Sequence, residues 1–146
     1  MKILKVVFDT NILISAIVYG GKPDICLQMA REGKLQLITS NTILLELSEK
    51  LYSKIGMSDE GLNRVLIGIK RISDIVEPRE ILSVIKEDRS DNKILEAATE
   101  GNADYIISGD KKHILPLKRF RKTNIVTAAD FIKLIDIEKQ SHMPLV

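Results

Sequence analysis

Four short apolar runs constrain this chain more than any other feature: ILKVVF at 3–8, LQLITS at 35–40, DYIIS at 104–108 and NIVT at 124–127. None shows the steady polar/apolar alternation of a strand with one wet face. Such runs belong in a sheet covered on both faces by helices. The stretches between most of them carry helical spacing, and helices of ten or more residues between strands imply crossover connections and parallel pairing.

Reading along the chain supplies the helices. Residues 10–18 form one, stopped by Gly20 and Gly21; Pro23, at a first-turn position, opens a second that ends at Gly33. Ser40 or Asn41 caps a long helix reaching about residue 55. Residues 59–71 read as helix, and ISDIVE at 72–77 as a short strand before Pro78. A further helix runs from Ser90–Asp91 to Gly101, and Thr127 starts the last, AADFIKLID. With 146 residues and neither repeat nor linker, the expectation is one α/β domain over 1–137 and a loosely held tail at 138–146.

Composition narrows the classes. Aromatic residues make up 4% and Trp is absent, so Ile and Leu must build the core. A net charge of +2 does not advertise a polyanion partner, and any nucleic-acid site must come from local clustering. Cys26 stands alone, which excludes an internal disulfide and a cysteine zinc site, and it reads as small helix packing. No apolar run approaches the roughly 18 residues of a membrane span. MKILKVVFDT turns acidic too soon for a signal peptide, so the expected location is the cytoplasm.

Polar chemistry gathers on four acids. In open parallel sheets the ligand crevice lies beyond the carboxyl ends of the strands. Asp9 follows the first strand there, and Asp110, in IISGDKKH, follows the DYIIS strand across Gly109. Each could be no more than the cap of the next helix. Asp91 shares a helix face with Ile94, Leu95 and Ala98, the face that must be buried, whereas Glu96 falls on the side expected to meet solvent. Glu46 flanks the stripe of Leu44, Leu47, Leu51 and Ile55, where a Glu is usually a solvated charge.

Together the four are harder to explain as neutral features. Like charges gathered at one rim repel, and each carboxyl is pushed up unless a cation compensates. All-oxygen ligation suits Mg²⁺ or Mn²⁺, which activate water and stabilise charge on a phosphodiester. Thr10 and Asn11 could orient carboxylate or water, or merely begin the helix.

Other chemistries lack their residues. Only His113 and His142 are present, so a two-histidine, metal-free RNA cleavage has no basis; His113, near Asp110, could touch RNA or be no more than an exposed loop or helix-start residue. No nucleophile elbow, phosphate-binding loop or dinucleotide fingerprint is found. An Asp-nucleophile phosphatase would want a second Asp where Asn11 stands, and a receiver domain an acid pair after the first strand.

The motifs VFDTNILISA, the Glu46 helix, DRSDNKILEAATEGNADYIISGDKKHI and NIVTAADFIKLI resemble those of PIN-domain proteins. The resemblance is to the kind found among prokaryotic toxin–antitoxin nucleases (VapC-like toxins and related stand-alone PIN proteins), and it runs from about residue 4 to 135. It implies a three-layer α/β/α fold around a parallel sheet of about five strands and a metal-dependent ribonuclease site. Asp9, Glu46, Asp91 and Asp110 fall on the family's four acidic positions, with Asn11 and Ser108 on supporting polar ones. Asp88 is a lesser candidate for recruiting a second ion. In similar proteins water attacks the scissile phosphate and leaves a 5′-phosphate and a 3′-hydroxyl. The resemblance also implies a small antitoxin and a homodimer.

Basic residues Lys111, Lys112, Lys118, Arg119, Arg121 and Lys122 are expected to flank the Asp110 rim, where they could hold RNA phosphates with Phe120 as a stacking surface, or simply balance nearby acids. Three functions stay open: an Mg²⁺/Mn²⁺-dependent endoribonuclease toxin using one or two ions, an RNA-processing nuclease without antitoxin, and a non-catalytic binding module.

Overall fold

The computed structural model describes residues 2–86 and 89–141. Its sheet contains β1 (Leu4–Phe8), β2 (Leu35–Ser40), β3 (Ser73–Val76), β4 (Tyr105–Ile107), β5 (Arg119–Phe120) and β6 (Thr123–Val126), in spatial order β3-β2-β1-β4-β6-β5. Every pairing is parallel except β5 with β6. The helices are α1 (Thr10–Val18), α2 (Gly21–Arg31), α3 (Asn41–Lys50), α4 (Asp59–Arg71), α5 (Arg89–Glu100) and α6 (Ala128–Ser141).

Chain order explains the layers. From β1 the sheet grows outward through β2 to β3, then returns to the other side of β1 for β4. Right-handed crossovers put the connecting helices of these two directions on opposite faces. Accordingly α1 packs on α2 and α3, while α5 lies against β1, β2 and β4. Val6, Val7, Leu37, Ile38, Ile106 and Ile107 are buried between the layers. Each such side chain contributes roughly 1.5–3 kcal/mol by leaving water. Phe131 of α6 is fully buried and meets Tyr105 edge-on, with ring centroids 5.6 Å apart. Gly101 ends α5 against β2, where a Cβ would stand 2.6 Å from Ile38 Cγ2. Cys26 is buried packing, and burial pushes its thiol up to about 11.

Several expectations need correction. Among the described residues the sheet has six strands, the additional one being the two-residue antiparallel β5, too short to show a period. The long helix after Ser40 is α-helical only to Lys50, and continues as a π-helical turn over Leu51–Ile55 before Gly56 ends it at φ 74°. The last helix continues to Ser141, into the stretch read as tail.

Glu96 does not face solvent; it is 5% exposed. Asn92, Glu96 and Glu100 recur every four residues along one face of α5 and receive the segment returning from β3. Glu100 accepts from the Arg79 amide, Glu96 from the Leu82 amide at 2.9 Å, and Asn92 from the Ile85 amide at 2.9 Å. Among the described residues no strand pairs with residues 79–85, and the side chains of α5 accept from their backbone instead. Among the described residues no helix is long and apolar enough to cross a membrane.

Candidate active site

The sheet changes direction between β1 and β4, and a crevice opens outside their carboxyl ends at such a switch point. The backbone ladder continues one residue beyond the strands, with Asp9 N donating to Ile107 O at 3.0 Å and Ser108 N to Val126 O at 3.0 Å. That places Asp9 and Ser108 side by side at the carboxyl ends of β1 and β4, held by the hydrogen-bonded ladder.

Asp9 caps α1, its Oδ1 accepting from Ile12 N at 2.8 Å, so the bland capping role is real. Its other oxygen accepts from the Ser108 hydroxyl, which in turn accepts from the Asp110 amide at 3.0 Å. One buried hydroxyl thus ties two of the four acids together. Burial pushes the Asp9 carboxyl above the usual carboxylate range; bonds from Ser108, Ile12 and Gly109 oppose this, and the Asp110 charge adds to it.

Asp110 opens a tight turn, its Oδ1 accepting from the amides of Lys112 at 3.0 Å and His113 at 3.2 Å. The turn brings the His113 ring over the cavity, where Nδ1 lies 3.1 Å from Asp91 Oδ2 and 3.9 Å from Asp110 Oδ2. Asp91, in the first turn of α5, reaches the same place from the other side of the crevice.

Glu46 enters from α3. Its Oε2 accepts from the Thr10 hydroxyl at 3.0 Å, and its Oε1 lies 3.0 Å from Lys50 Nζ. Lys50 also donates to Asn11 Oδ1 at 3.4 Å. Asp9, Thr10, Asn11, Glu46, Lys50, Asp91, Asp110 and His113, with Ser90 and Ile94, line one cavity of about 190 Å³. All four acids singled out in the sequence therefore share it, and Ser108 lies directly behind.

Lys50 was not singled out in the sequence, and His113, read there as an exposed residue near Asp110, is only 28% exposed and lines the cavity. Lys50 stands four positions after Glu46 and His113 three after Asp110, the spacings at which helical or turn side chains meet. Asp88 lies outside the described residues.

The basic segment is not where it was expected. β6 runs parallel to β4, with Tyr105 opposite Asn124 and Ile107 opposite Val126. Arg121 and Lys122, before β6, therefore lie at the amino end of the sheet, away from the Asp110 rim. Arg121 makes two bonds to Glu80 at 2.9 and 3.0 Å and stacks on Phe120 at 5.2 Å, while Lys122 Nζ is 3.9 Å from Asp104. Arg119 Nε donates to Arg121 O. Lys111 and Lys112 remain exposed beside Asp110, and Lys118 precedes β5.

A family model described as PIN domain matches residues 5–112. This chain belongs to the PIN domain family. PIN domains are generally metal-dependent nucleases. A relative, the uncharacterized protein MJ1680 of Methanocaldococcus jannaschii, is 36% identical over 114 residues, 74% of this chain and 72% of that protein. The crystal structure of PAE2754 from Pyrobaculum aerophilum shares the fold with a TM-score of 0.57 at 13% identity, covering 92% of this chain and 90% of that one. The donors of this PIN domain fit a divalent cation: carboxylate oxygens of Asp91 and Asp110 and a ring nitrogen of His113 all lie within 4.8 Å of one another.

Proposed function

We propose that this PIN domain is an Mg²⁺- or Mn²⁺-dependent endoribonuclease and that it serves as the toxin of a toxin–antitoxin pair. The observation that carries the nuclease reading is the convergence of Asp9, Glu46, Asp91 and Asp110, from four separate elements, on one polar cavity at the switch point.

Asp91 and Asp110 would hold the ion. When bound, it lowers the pKa of water and stabilises the charge that develops on a phosphodiester. The protein's own groups do the positioning. Ser108 locks Asp9 to the Asp110 loop, so that neither carboxylate must be ordered when substrate arrives. Thr10 and Lys50 orient Glu46 at the opposite wall. The Lys50 ammonium is the natural counter-charge for a phosphate entering a cavity of carboxylates. Lys111 and Lys112, exposed beside Asp110, would grip neighbouring phosphates and give affinity without sequence choice. Attack by water with loss of the 3′ oxygen leaves a 5′-phosphate and a 3′-hydroxyl.

A toxin needs restraint, so the reading carries a small antitoxin covering the acidic rim, and a homodimer. One observation favours a second reading, a non-catalytic RNA- or protein-binding module: Lys50 already neutralises Glu46. Incubation of total RNA with the protein, with and without EDTA, followed by end-mapping, separates the two. Metal-dependent fragments with 5′-phosphate ends support the nuclease; RNA retained but uncut supports the binder.

A further inference from the structure

The geometry points to His113 as a nitrogen ligand of the metal ion, giving the centre a preference for Mn²⁺ over Mg²⁺ that four carboxylates alone would not have. The inference rests on the metal-dependent reading above and concerns what holds the ion.

Its basis is which donors meet. Both Glu46 oxygens are engaged by Thr10 and Lys50 across the cavity, and both Asp9 oxygens by Ile12 and Ser108. The described donors within 4.8 Å of one another belong to Asp91, Asp110 and His113. Adjacent ligands around a six-coordinate ion with bonds of about 2.1 Å stand about 3.0 Å apart, and opposite ligands about 4.2 Å. His113 Nδ1 lies 3.1 Å from Asp91 Oδ2 and 3.9 Å from Asp110 Oδ2, inside that range.

Nor is the ring there by chance of rotamer alone. Asp110 Oδ1 fixes the His113 amide, and Asp110 O accepts from Leu115 N at 2.9 Å, so the turn that presents one ligand also presents the other. Ile114, the next residue, is buried in the core and anchors the turn from below. Imidazole is a poor partner for Mg²⁺, which keeps to oxygen, and a good one for Mn²⁺ and later transition ions.

The test uses the full chain stripped with EDTA. Calorimetric titration with Mn²⁺ and with Mg²⁺ is run on wild type, His113→Ala and His113→Asp, with pulsed EPR of the Mn²⁺ form. We expect nitrogen coupling in wild type that both variants lose. Mn²⁺ affinity should fall on the order of tenfold in His113→Ala, with Mg²⁺ affinity nearly unchanged. His113→Asp, which restores an oxygen donor, should bind Mg²⁺ at least as well as wild type. Absence of nitrogen coupling, or equal losses for both ions, overturns the ligand assignment while leaving the nuclease reading intact. If wild type binds neither ion, the assignment and that reading fall together.

Discussion

Lys50 Nζ lies 3.0 Å from Glu46 Oε1, one turn further along α3, with both side chains about one-quarter exposed or less. An ion pair in that setting is screened less than a surface pair. It sits where carboxylates from other elements converge, so it offsets repulsion beyond its own partner. In EDTA we expect Lys50→Met to lower the melting temperature by about 2–4 °C, the equivalent of about 1 kcal/mol in a chain of this size. Against RNA it should raise KM more than it lowers kcat, because on the proposed nuclease reading the lost cation is the one that meets phosphate. Differential scanning fluorimetry and steady-state cleavage check the two parts.

Asp9 gives a pH signature. Its carboxyl is held above the ordinary value of 3.8, chiefly by burial. A carboxyl raised on folding favours the protonated native state. Its stabilisation is fully present below the unfolded value and lost as pH rises through the folded one. In EDTA at neutral pH, Asp9→Asn should therefore melt above wild type, since the amide oxygen can still cap Ile12. The gap should shrink as pH falls toward about 4. Added Mn²⁺, whose donors are Asp91, Asp110 and His113, should raise the melting temperature of wild type and of the variant alike. Melting curves across pH, with and without the ion, provide the comparison.

Ser108 is fully buried between two acids, donating to Asp9 and accepting from the Asp110 amide. Ser108→Ala removes both bonds and strands that amide, at a cost of about 1–3 kcal/mol. We expect kcat to fall with KM little changed, because substrate contacts survive while the Asp110 loop loosens. Faster hydrogen exchange at the Asp110 amide should accompany the loss.

Glu96 tests the segment that leads back to α5. Glu96→Ala orphans the Leu82 amide and should cost about 1–3 kcal/mol by denaturant titration, whereas Glu96→Gln keeps an acceptor and should cost less. Equal losses would show that the charge, shared with Lys93, matters more than the bond.

Much of this was legible in the sequence, because buried parallel strands write their burial directly into apolar runs. Asp9 and Asp110 could be placed at one rim from chain order alone. Glu96 was misplaced because helical spacing shows which residues share a face, not what a later segment lays over it. β5 was invisible because two residues carry no period. Arg121 and Lys122 were put at the wrong end although the NIVT strand, read as parallel, places the residues just before it at the amino end of the sheet. His113 was weighed and set aside as an exposed residue, and Lys50 was overlooked, although their spacings from Asp110 and Glu46 were in plain view.

The central claim is that the four acids act as one metal-dependent site. Single-turnover cleavage of one mapped RNA, comparing wild type with Asp9→Asn, Glu46→Gln, Asp91→Asn and Asp110→Asn, each shown to be folded by circular dichroism, tests it most directly. We expect every variant to lose at least about a hundredfold in rate. A wild-type rate in any one of the four folded variants would contradict it.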